Sequence, residues 1–321
     1  MVSIVIATRN REALLRETLN ALAAQQWPRE RLEILVADNG STDGTRAAVA
    51  SASAEAGSPR VEYLYVGTPG KSHAVNAALA RARGTIIALT DDDVLPERDW
   101  VAQLVAAFDE TGADFVAGRI FPRWECPPPA WMSPALYGVL AIPDNGSVRR
   151  VISHDHPAVV PIGANMAVTA AVIARLGGLR TDLGKLEGTL RTGEDHEFFV
   201  RMLAAGFRGV YEPRAAVHHW VPRARLDRAY CRRWLYQNGR DVARLGSAHN
   251  PGVPRLLGVP RYLWREAAGH LRRLLGATLR NDPATRFAAW VRLLWLAGYI
   301  REAWFGRAVP SPAGTPAVSR A

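Results

Sequence analysis

The chain has 321 residues, of which 48% are hydrophobic, and a formal net charge of +10. This length suits one large domain or a domain with an appendage, and the hydrophobic content excludes wholesale disorder. Its two cysteines, Cys126 and Cys231, define neither a disulfide framework nor a cysteine metal site, and they fit a reducing compartment. The positive charge predicts an anionic partner: a phosphate compound, a nucleic acid or an acidic membrane surface.

The first 120 residues alternate strand-like runs with helical patterns. The predicted strands are 2–7, 32–37, 61–65 and 85–89, and the predicted helices are 11–26, 42–56, 72–81 and 100–110. Asn10 is the predicted cap of the first helix, and Ser41 or Thr42 caps the second. This rhythm predicts an α/β fold with a mostly parallel sheet flanked by helices and right-handed crossovers.

The rest of the chain is less regular. Residues 114–122 predict a strand pair hinged at Gly118, and a Pro- and Trp-rich loop follows. The later predicted elements are helices at 169–176, 194–205, 225–245 and 259–305 and a strand at 208–211. The uncharged stretch 157–174 contains Pro161 and Gly163, so a strand–loop–helix junction explains it better than a membrane span. The tail 309–321 is rich in Pro and Ala and is expected to be disordered.

Three carboxylates, Asp91, Asp92 and Asp93, directly follow the predicted strand 85–89. No core can bury three adjacent anions unpaired. Ligands in open α/β sheets bind at the carboxyl ends of strands, and a hard divalent cation there would neutralise both these groups and a bound phosphate. The alternative is a charged loop in which Asp93 caps the next helix.

Polar clusters also follow the first two strands, at 8–10 and at 38–45. Asp38 can accept hydrogen bonds from a ribose or a base, and Gly40 allows a tight turn. The alternative for 38–45 is a capped turn that binds no ligand. All three clusters should lie at one edge of the parallel sheet.

Five motifs in order resemble the family 2 glycosyltransferases of GT-A fold. They are VSIVIATRNR at 2–11, the loop at 38–45, KSHAVNAAL at 71–79, DDD at 91–93 and GEDHEF at 193–198. The resemblance implies an inverting, metal-assisted transfer of a sugar from a nucleotide-diphosphate donor to an acceptor hydroxyl. The chain then divides into a catalytic domain at 1–222, with a nucleotide-binding half up to about 120 and an acceptor half beyond it, and a helical region at 223–308.

The resemblance also implies a metal site for Mg²⁺ or Mn²⁺. Asp91 and Asp93 match the outer positions of the family's Asp-x-Asp motif, so that Asp93 would bind the metal and Asp91 would contact the ribose or the metal's water shell. Asp92 lines the turn between them. Of the pair His218 and His219, His219 is favoured as the histidine that reaches the metal or the diphosphate.

A larger set of residues is implied to bind the nucleotide sugar. These residues are Thr8, Arg9, Asp38, Asn39, Lys71, Asp91, Asp92 and Asn165. Many relatives carry a second Asp where this chain has Asn39, so the base preference stays open. Lys71 would neutralise phosphate or touch the base, or else be a solvated loop lysine. Asn165 lies in a segment that resembles the lining of the donor-sugar site.

Asp195 matches the general base that removes the proton of the acceptor hydroxyl, which inverting transfer requires. Its place at the start of a predicted helix would let the helix dipole hold it ionised. Glu194 is the alternative base, or a group that binds the acceptor hydroxyl. The alternative is that Glu194 and Asp195 only cap the helix and take no part in catalysis.

The C-terminal helices combine Arg, Trp and Leu. Phe287, Val291, Leu294 and Gly298 fall on one helical face between arginines, which suits an anionic membrane interface and a lipid-linked acceptor. The alternative is an appendage packed on the catalytic domain. Because no signal peptide is visible, we expect a cytoplasmic enzyme with peripheral contact at the inner face of the membrane.

The sequence thus predicts a glycosyltransferase acting on a glycan, a lipid-linked glycan or a secondary metabolite. A sugar-phosphate nucleotidyltransferase would need a Gly-rich basic loop after the first strand, which residues 8–11 lack. A basic nucleic-acid-binding protein would fit the charge, but no nucleic-acid motif accompanies the basic residues. We therefore expect no nucleic-acid partner.

Overall fold

The structure, a computed structural model, describes residues 1–55, 57–157, 159–186, 188–249 and 252–306, with side chains left out at 247–249. The predicted tail 309–321 lies outside the described residues. The chain forms two compact units that divide between Cys231 and Arg232. We describe each unit by itself.

The first unit is an α/β domain built on a nine-stranded sheet. Its strands are β1 (Val2–Thr8), β2 (Leu32–Asp38), β3 (Arg60–Tyr65), β4 (Ile86–Asp91), β5 (Val94–Pro96), β6 (Phe115–Trp124), β7 (Arg150–Ile152), β8 (Asn165–Thr169) and β9 (Gly209–Val221). Its helices are α1 (Glu12–Ala23), α2 (Thr45–Ala54), α3 (Lys71–Leu79), α4 (Trp100–Thr111), α5 (Ala170–Leu176) and α6 (Glu194–Ala204). The sheet order is β3-β2-β1-β4-β8-β6-β9-β5, and β7 pairs with β9.

The parallel half of the sheet confirms the fold expected from the first 120 residues. Strands β1 to β4 are parallel neighbours, and every residue of β2 is buried, as continuous apolar runs predict for a sheet covered on both faces. The register sets Thr8 opposite Asp38 and Ala7 opposite Asp91. The polar clusters after these strands therefore lie at one edge, as predicted.

The other half of the sheet is mixed. Strand β8 is antiparallel to both β4 and β6, and β9 is antiparallel to the short strand β5. In the last pairing, Val94 lies opposite His219, and the Trp220 amide donates a hydrogen bond of 2.9 Å to the Asp93 carbonyl. This pairing brings a histidine from late in the chain to the turn that follows β4.

Two strand predictions were wrong in extent. The predicted strand pair hinged at Gly118 is one strand, β6, whose register against β9 shifts between Gly118 and Arg119. A Cβ at Gly118 would lie 2.2 Å from Asn165 Nδ2, so the small residue admits a buried amide instead of marking a turn. The predicted strand 208–211 continues to Val221, because β9 passes Pro213 without ending.

The predicted helix caps were also wrong. Helix α1 begins at Glu12, and Asn10 adopts a φ of 51° while its Oδ1 accepts a hydrogen bond of 2.8 Å from the Thr42 amide. Asp43 is the acceptor for both helices: its carboxylate receives the amides of Glu12 at 3.0 Å and of Thr45 at 3.1 Å. Side chains of each loop thus accept hydrogen bonds from backbone amides of the other loop. Capping preferences, which consider the residues of one helix at a time, do not predict such an exchange.

The second unit is helical. Helix α7 (Arg228–His249) leads into it, a hairpin of β10 (Arg255–Leu256) and β11 (Val259–Pro260) follows, and α8 (Arg261–Leu279) and α9 (Pro283–Phe305) complete it. The helix predicted over 259–305 is thus two helices. They separate where Asn281 has a φ of 52° and the Asp282 carboxylate caps α9 through the Thr285 amide at 3.0 Å. Pro283 at the first turn of α9 suits such a start.

The helical face predicted to meet a membrane is largely buried. Phe287, Val291 and Gly298 on α9 are buried, and Leu294 is half-buried. A Cβ on Gly298 would lie 2.1 Å from the Tyr236 carbonyl oxygen, so α7 and α9 meet there backbone to backbone. This face therefore packs within the second unit. Among the residues described, none of the helices has the length and apolar character needed to cross a bilayer.

Candidate active site

Four strands supply the residues that meet at one edge of the sheet. Strand β1 ends at Thr8, β2 at Asp38 and β4 at Asp91, while β9 passes beside the turn with His219. Asp92 and Asp93 form the turn between β4 and β5, and both are buried. Two of the three adjacent carboxylates therefore lie inside the protein, Asp91 is half-buried beside them, and all three need nearby cations.

Asp91, Asp93 and His219 form a group of potential metal ligands, and one atom from each lies within 4.8 Å of the others. The Nε2 atom of His219 is 3.5 Å from Asp93 Oδ1, an oxygen that is buried without a hydrogen-bond partner. Burial lowers the pKa of His219, against the opposing charge of Asp93, which keeps the imidazole neutral and able to coordinate. Two carboxylates and an imidazole with an unsatisfied oxygen among them fit a divalent cation such as Mg²⁺ or Mn²⁺.

Arg11 is a site residue that the sequence reasoning missed. Its Nη1 atom lies 2.8 Å from Asp92 Oδ1 and 2.6 Å from Asp93 Oδ2. Asp92 also accepts a hydrogen bond of 2.8 Å from the Thr8 hydroxyl. Burial raises the pKa of Asp92 to about 6, the Arg11 charge opposes this, and the Asp93 charge adds to it. The signal was present, since three adjacent carboxylates require a nearby cation and Arg11 follows the neighbouring strand.

The contacts with Arg11 and Thr8 indicate different roles for Asp92 and Asp93. Both oxygens of Asp92 are held by protein donors, from Thr8 and Arg11. Asp93 is held on one oxygen by Arg11 and keeps the other for a ligand. Asp92 therefore fixes Arg11, and Arg11 fixes the orientation of Asp93.

Lys71 connects the metal-ligand group with a second group of carboxylates. Its Nζ atom is 2.5 Å from Asp91 Oδ1. The attraction between these two charges lowers the pKa of Asp91 and raises the pKa of Lys71, although burial acts against both shifts. The charges of Asp195 and Glu194 also raise the pKa of Lys71. Lys71 is thus a paired cation and not a solvated loop lysine.

Asp195 and Glu194 lie in the first turn of α6. Asp195 Oδ2 accepts a hydrogen bond of 2.9 Å from the Gly163 amide. Burial raises the pKa of Asp195, against the charge of Lys71, and burial together with the charge of Asp195 raises the pKa of Glu194 to about 7. Desolvation thus acts against ionisation of Asp195, and the charge of Lys71 favours it.

Glycines make room for this carboxylate pair. A Cβ on Gly163 would lie 2.8 Å from Asp195 Oδ1, and one on Gly184 would lie 3.0 Å from the carboxyl carbon of Glu194. Gly184 also has a φ of 87°, which favours glycine. Asp195 is half-buried whereas Glu194 is buried, so Asp195 is the more accessible of the two.

The residues predicted to hold the nucleoside surround the end of β2. Asp38 is buried and accepts hydrogen bonds from the Ser41 amide at 2.8 Å and the Tyr63 hydroxyl at 2.7 Å. The Asn39 amide group contacts only backbone: it donates to the Val66 and Thr68 carbonyls at 3.1 and 2.7 Å and accepts from the Gly70 amide at 2.7 Å. Asn39 therefore shapes the loop that leads into α3.

Three other predicted or considered residues have different surroundings. Arg9 lies half-buried after the end of β1. Asn165 binds the Trp100 indole and donates to two backbone carbonyls, each at 2.8 Å, so its amide braces β8 against its neighbours. His218 is 2.7 Å from Glu97 Oε1 and stacks on Phe121, away from the metal-ligand group. The preference for His219 over His218 agrees with this geometry.

Comparisons with known proteins show which family the chain resembles. The sequence profile of "Glycosyl transferase family 2" matches residues 3–164. The succinoglycan biosynthesis protein ExoM of Rhizobium meliloti is 30% identical over 236 residues, which are 72% of this chain and 71% of ExoM. The pre-mycofactocin glycosyltransferase of Mycobacterium tuberculosis is 29% identical over 68% of this chain and 42% of its own length.

Solved structures share the fold. The mannosyltransferase PcManGT from Pyrobaculum calidifontis, solved with GDP-Man and Mn²⁺, superposes with a TM-score of 0.64 at 22% identity over 94% of this chain and 87% of its own. The S. aureus TarS fragment 1–349 in complex with UDP gives a TM-score of 0.56 at 17% identity over 92% and 91% of the two chains. With these likenesses in sequence and fold, the chain belongs to glycosyl transferase family 2 and is a nucleotide-sugar-dependent glycosyltransferase with a GT-A-like fold.

Proposed function

We propose that the protein transfers its sugar by a single inverting displacement, with a divalent cation on the donor side and Asp195 as the general base. The observation that carries this proposal is the division of the site into two acidic groups. Asp91, Asp93 and His219 form a potential metal site with an unsatisfied buried oxygen, and Asp195 with Glu194 forms a separate pair. Lys71 interacts with both groups.

On the donor side, Asp93, Asp91 and His219 would hold the cation. When bound, it would supply a positive charge that stabilises the diphosphate leaving group as the glycosidic bond breaks. Arg11 orients Asp93 by its hydrogen bond of 2.6 Å, and Asp92 keeps Arg11 in place. Thr8, Arg9, Asp38 and Asn39 lie at the adjoining strand ends and in the proposal frame the nucleoside, Asn39 through the loop that it shapes.

On the acceptor side, Asp195 removes the proton from the attacking hydroxyl. Its Oδ2 is fixed by the Gly163 amide, which leaves Oδ1 to accept this proton as the new carbon–oxygen bond forms on the face of the sugar opposite the leaving diphosphate. The raised pKa of Asp195 makes it a stronger base than an exposed aspartate. Lys71 stabilises its ionised form before the proton arrives.

The identity of the donor and of the acceptor is a further part of the proposal. The two solved structures described above contain GDP-Man and UDP, so the fold accommodates more than one nucleotide. The alignment with ExoM covers most of both chains, and ExoM is described as a succinoglycan biosynthesis protein. This supports an acceptor that is a growing glycan or a lipid-linked glycan.

The experiment that tests the proposal separates the two acidic groups. A panel of UDP-, GDP- and dTDP-sugars is screened for metal-dependent thermal stabilisation, and transfer or donor hydrolysis is then measured with the donor that binds. D93A should abolish the metal dependence of donor binding. D195N should retain donor binding and lose roughly 10²- to 10⁴-fold in kcat, the range for a positioned general base.

The matched control is D155N, which changes an exposed aspartate of the same unit. It should leave donor binding and kcat unchanged. Donor binding by wild type that is indifferent to chelator would remove the metal from the proposal. A D195N enzyme with near-normal turnover would exclude Asp195 as the base.

A further inference from the structure

Helix α8 carries a row of exposed leucines. Leu271, Leu275 and Leu279 are spaced four residues apart, so they share one helical face, and their exposed fractions are 50%, 58% and 88%. The buried face of the same helix carries Leu263 and Ala277. The leucine row is thus an additional apolar surface beside the face that packs against the rest of the second unit.

A row of arginines lies beside the leucines. Arg261, Arg265 and Arg272 are all exposed and fall on one side of the leucine row at a helical period of 3.6 residues. Glu266 is the one acidic residue of α8, and it lies on the opposite face from the leucines. An apolar row with basic residues along its side is the pattern of a helix that lies in the surface of an anionic membrane.

The charge of the whole second unit strengthens this match. Residues 232–321 contain fifteen arginines and four carboxylates, a net charge of +11, whereas residues 1–231 contain 25 basic and 26 acidic residues, a net charge of −1. Two second units that met through their leucine rows would bring like charges together, which opposes self-association. An anionic bilayer instead satisfies both the leucines and the arginines.

We propose that α8 docks on an anionic bilayer, with Leu271, Leu275 and Leu279 inserted at the boundary between headgroups and acyl chains and the arginine row on lipid phosphates. The helix would lie in the plane of the surface and would not span it. This surface differs from the face of α9 considered from the sequence, which is buried.

The test is co-sedimentation of the full chain with two kinds of vesicle, phosphatidylcholine mixed with phosphatidylglycerol and phosphatidylcholine alone. Wild type should bind the anionic vesicles, and added salt should weaken the binding because it screens the arginines. The triple variant L271Q/L275Q/L279Q should bind at least about tenfold more weakly, because three side chains lose their apolar burial. R261Q/R265Q/R272Q should lose the preference for anionic lipid.

The matched control is V148Q/V151Q, which removes two exposed apolar side chains from the first unit. It should bind vesicles as wild type does. The single variant L279Q repeats the test at a side chain that is 88% exposed, where a folding defect is not expected. Thermal stabilisation by the donor checks that the first unit is folded in every variant.

Three results would overturn the proposal. The first is wild type that binds neither kind of vesicle. The second is undiminished binding by the triple leucine variant. The third is a wild-type dimer in light scattering that L271Q/L275Q/L279Q converts to a monomer, which would assign the leucine row to a second copy of the chain.

Discussion

The two units of the molecule use charge in opposite ways. The first is close to neutral, at −1, and concentrates its charges in buried contacts such as the Arg11 pairs with Asp92 and Asp93. The second carries +11 and exposes the arginine row of α8 to solvent, while Arg240 and Arg244 pair with Glu302. The whole-chain charge of +10 therefore describes the second unit and not the proposed donor site. Substitutions in the first unit should change kinetics, and those in the second should change stability or lipid binding.

Among the substitutions that test this comparison, the largest expected effect is that of removing the half-buried cation Arg11. R11M leaves Asp92 and Asp93 without their shared partner and should lower kcat/KM by roughly 10²- to 10³-fold. If Arg11 acts by orienting Asp93, the metal concentration that gives half-maximal activity should also rise. R11K, which restores a charge but not the fork of the guanidinium, should recover part of the loss.

R16M is the control for Arg11. Arg16 lies on α1, the helix that follows Arg11, but it is exposed and pairs with Glu12. Its removal should change kcat/KM less than about twofold, as is usual for a surface ion pair. An R11M enzyme with a normal metal requirement would show that Arg11 does not position Asp93.

The positions of the strand-end residues could be predicted from sequence because these residues follow parallel strands. The ends of β1, β2 and β4 meet at one edge for reasons of topology alone, so Thr8, Asp38 and Asp91 were placed without side-chain detail. The pairing of β5 with β9, which delivers His219, depends on antiparallel contacts between distant segments. Here only the resemblance to the family pointed to the histidine.

Contacts between side chains were harder to predict than the positions of strands. For Arg11 the sequence indicated only that the carboxylates need a nearby cation, and it did not state which basic side chain turns towards them. The helix terminus that carries Asp195 is visible in sequence, whereas the burial that raises its pKa is a property of the folded chain. The predicted caps failed in the same way, since Asp43 serves two helices at once.

A smaller kinetic effect is expected from filling the space beside the proposed base. In G163A the new Cβ would lie 2.8 Å from Asp195 Oδ1, so the carboxylate must move. We expect kcat to fall about 10- to 100-fold, because displacement of a reacting group by about 1 Å has an effect of this size. The KM for the donor should change little, since the metal-ligand group is untouched. The control G138A adds a Cβ where no atom lies within 4 Å, and an equal loss there would contradict the assignment.

Replacing a closely packed glycine by alanine in the second unit should change the stability of the protein and leave its kinetics unchanged. In G298A the new Cβ would lie 2.1 Å from the Tyr236 carbonyl oxygen, so α7 and α9 must separate, and the free energy of unfolding should fall by about 1–3 kcal/mol. In G269A, on α8, the Cβ meets no atom within 4 Å, and alanine should raise the free energy of unfolding by about 0.5–1 kcal/mol. Urea unfolding measures both values. A change of kcat in either variant would argue against separate roles for the two units.

The smallest expected effect concerns the pH dependence of the carboxylate pair. Because Asp195 acts as a base when ionised, activity should fall as the pH drops through its raised pKa. The charge of Asp195 raises the pKa of Glu194, so Glu194 still carries its proton while Asp195 titrates. E194Q imitates this protonated, neutral Glu194, so the acid limb of the kcat/KM profile should stay nearly unchanged.

The pH dependence of the free energy of unfolding tests the same carboxylate pair independently. The pKa of Glu194 is raised from its ordinary value of 4.5 to about 7, so the native state binds this proton more tightly than the unfolded state does. Stability from Glu194 is therefore present below the unfolded pKa and is lost as the pH rises through about 7. Relative to wild type, E194Q should gain about 1–2 kcal/mol more at about pH 8 than at about pH 5, whereas E30Q, at an exposed glutamate, should gain nothing at either pH. An E194Q variant whose stability relative to wild type is the same at both pH values would show that Glu194 does not ionise beside Asp195 in this range.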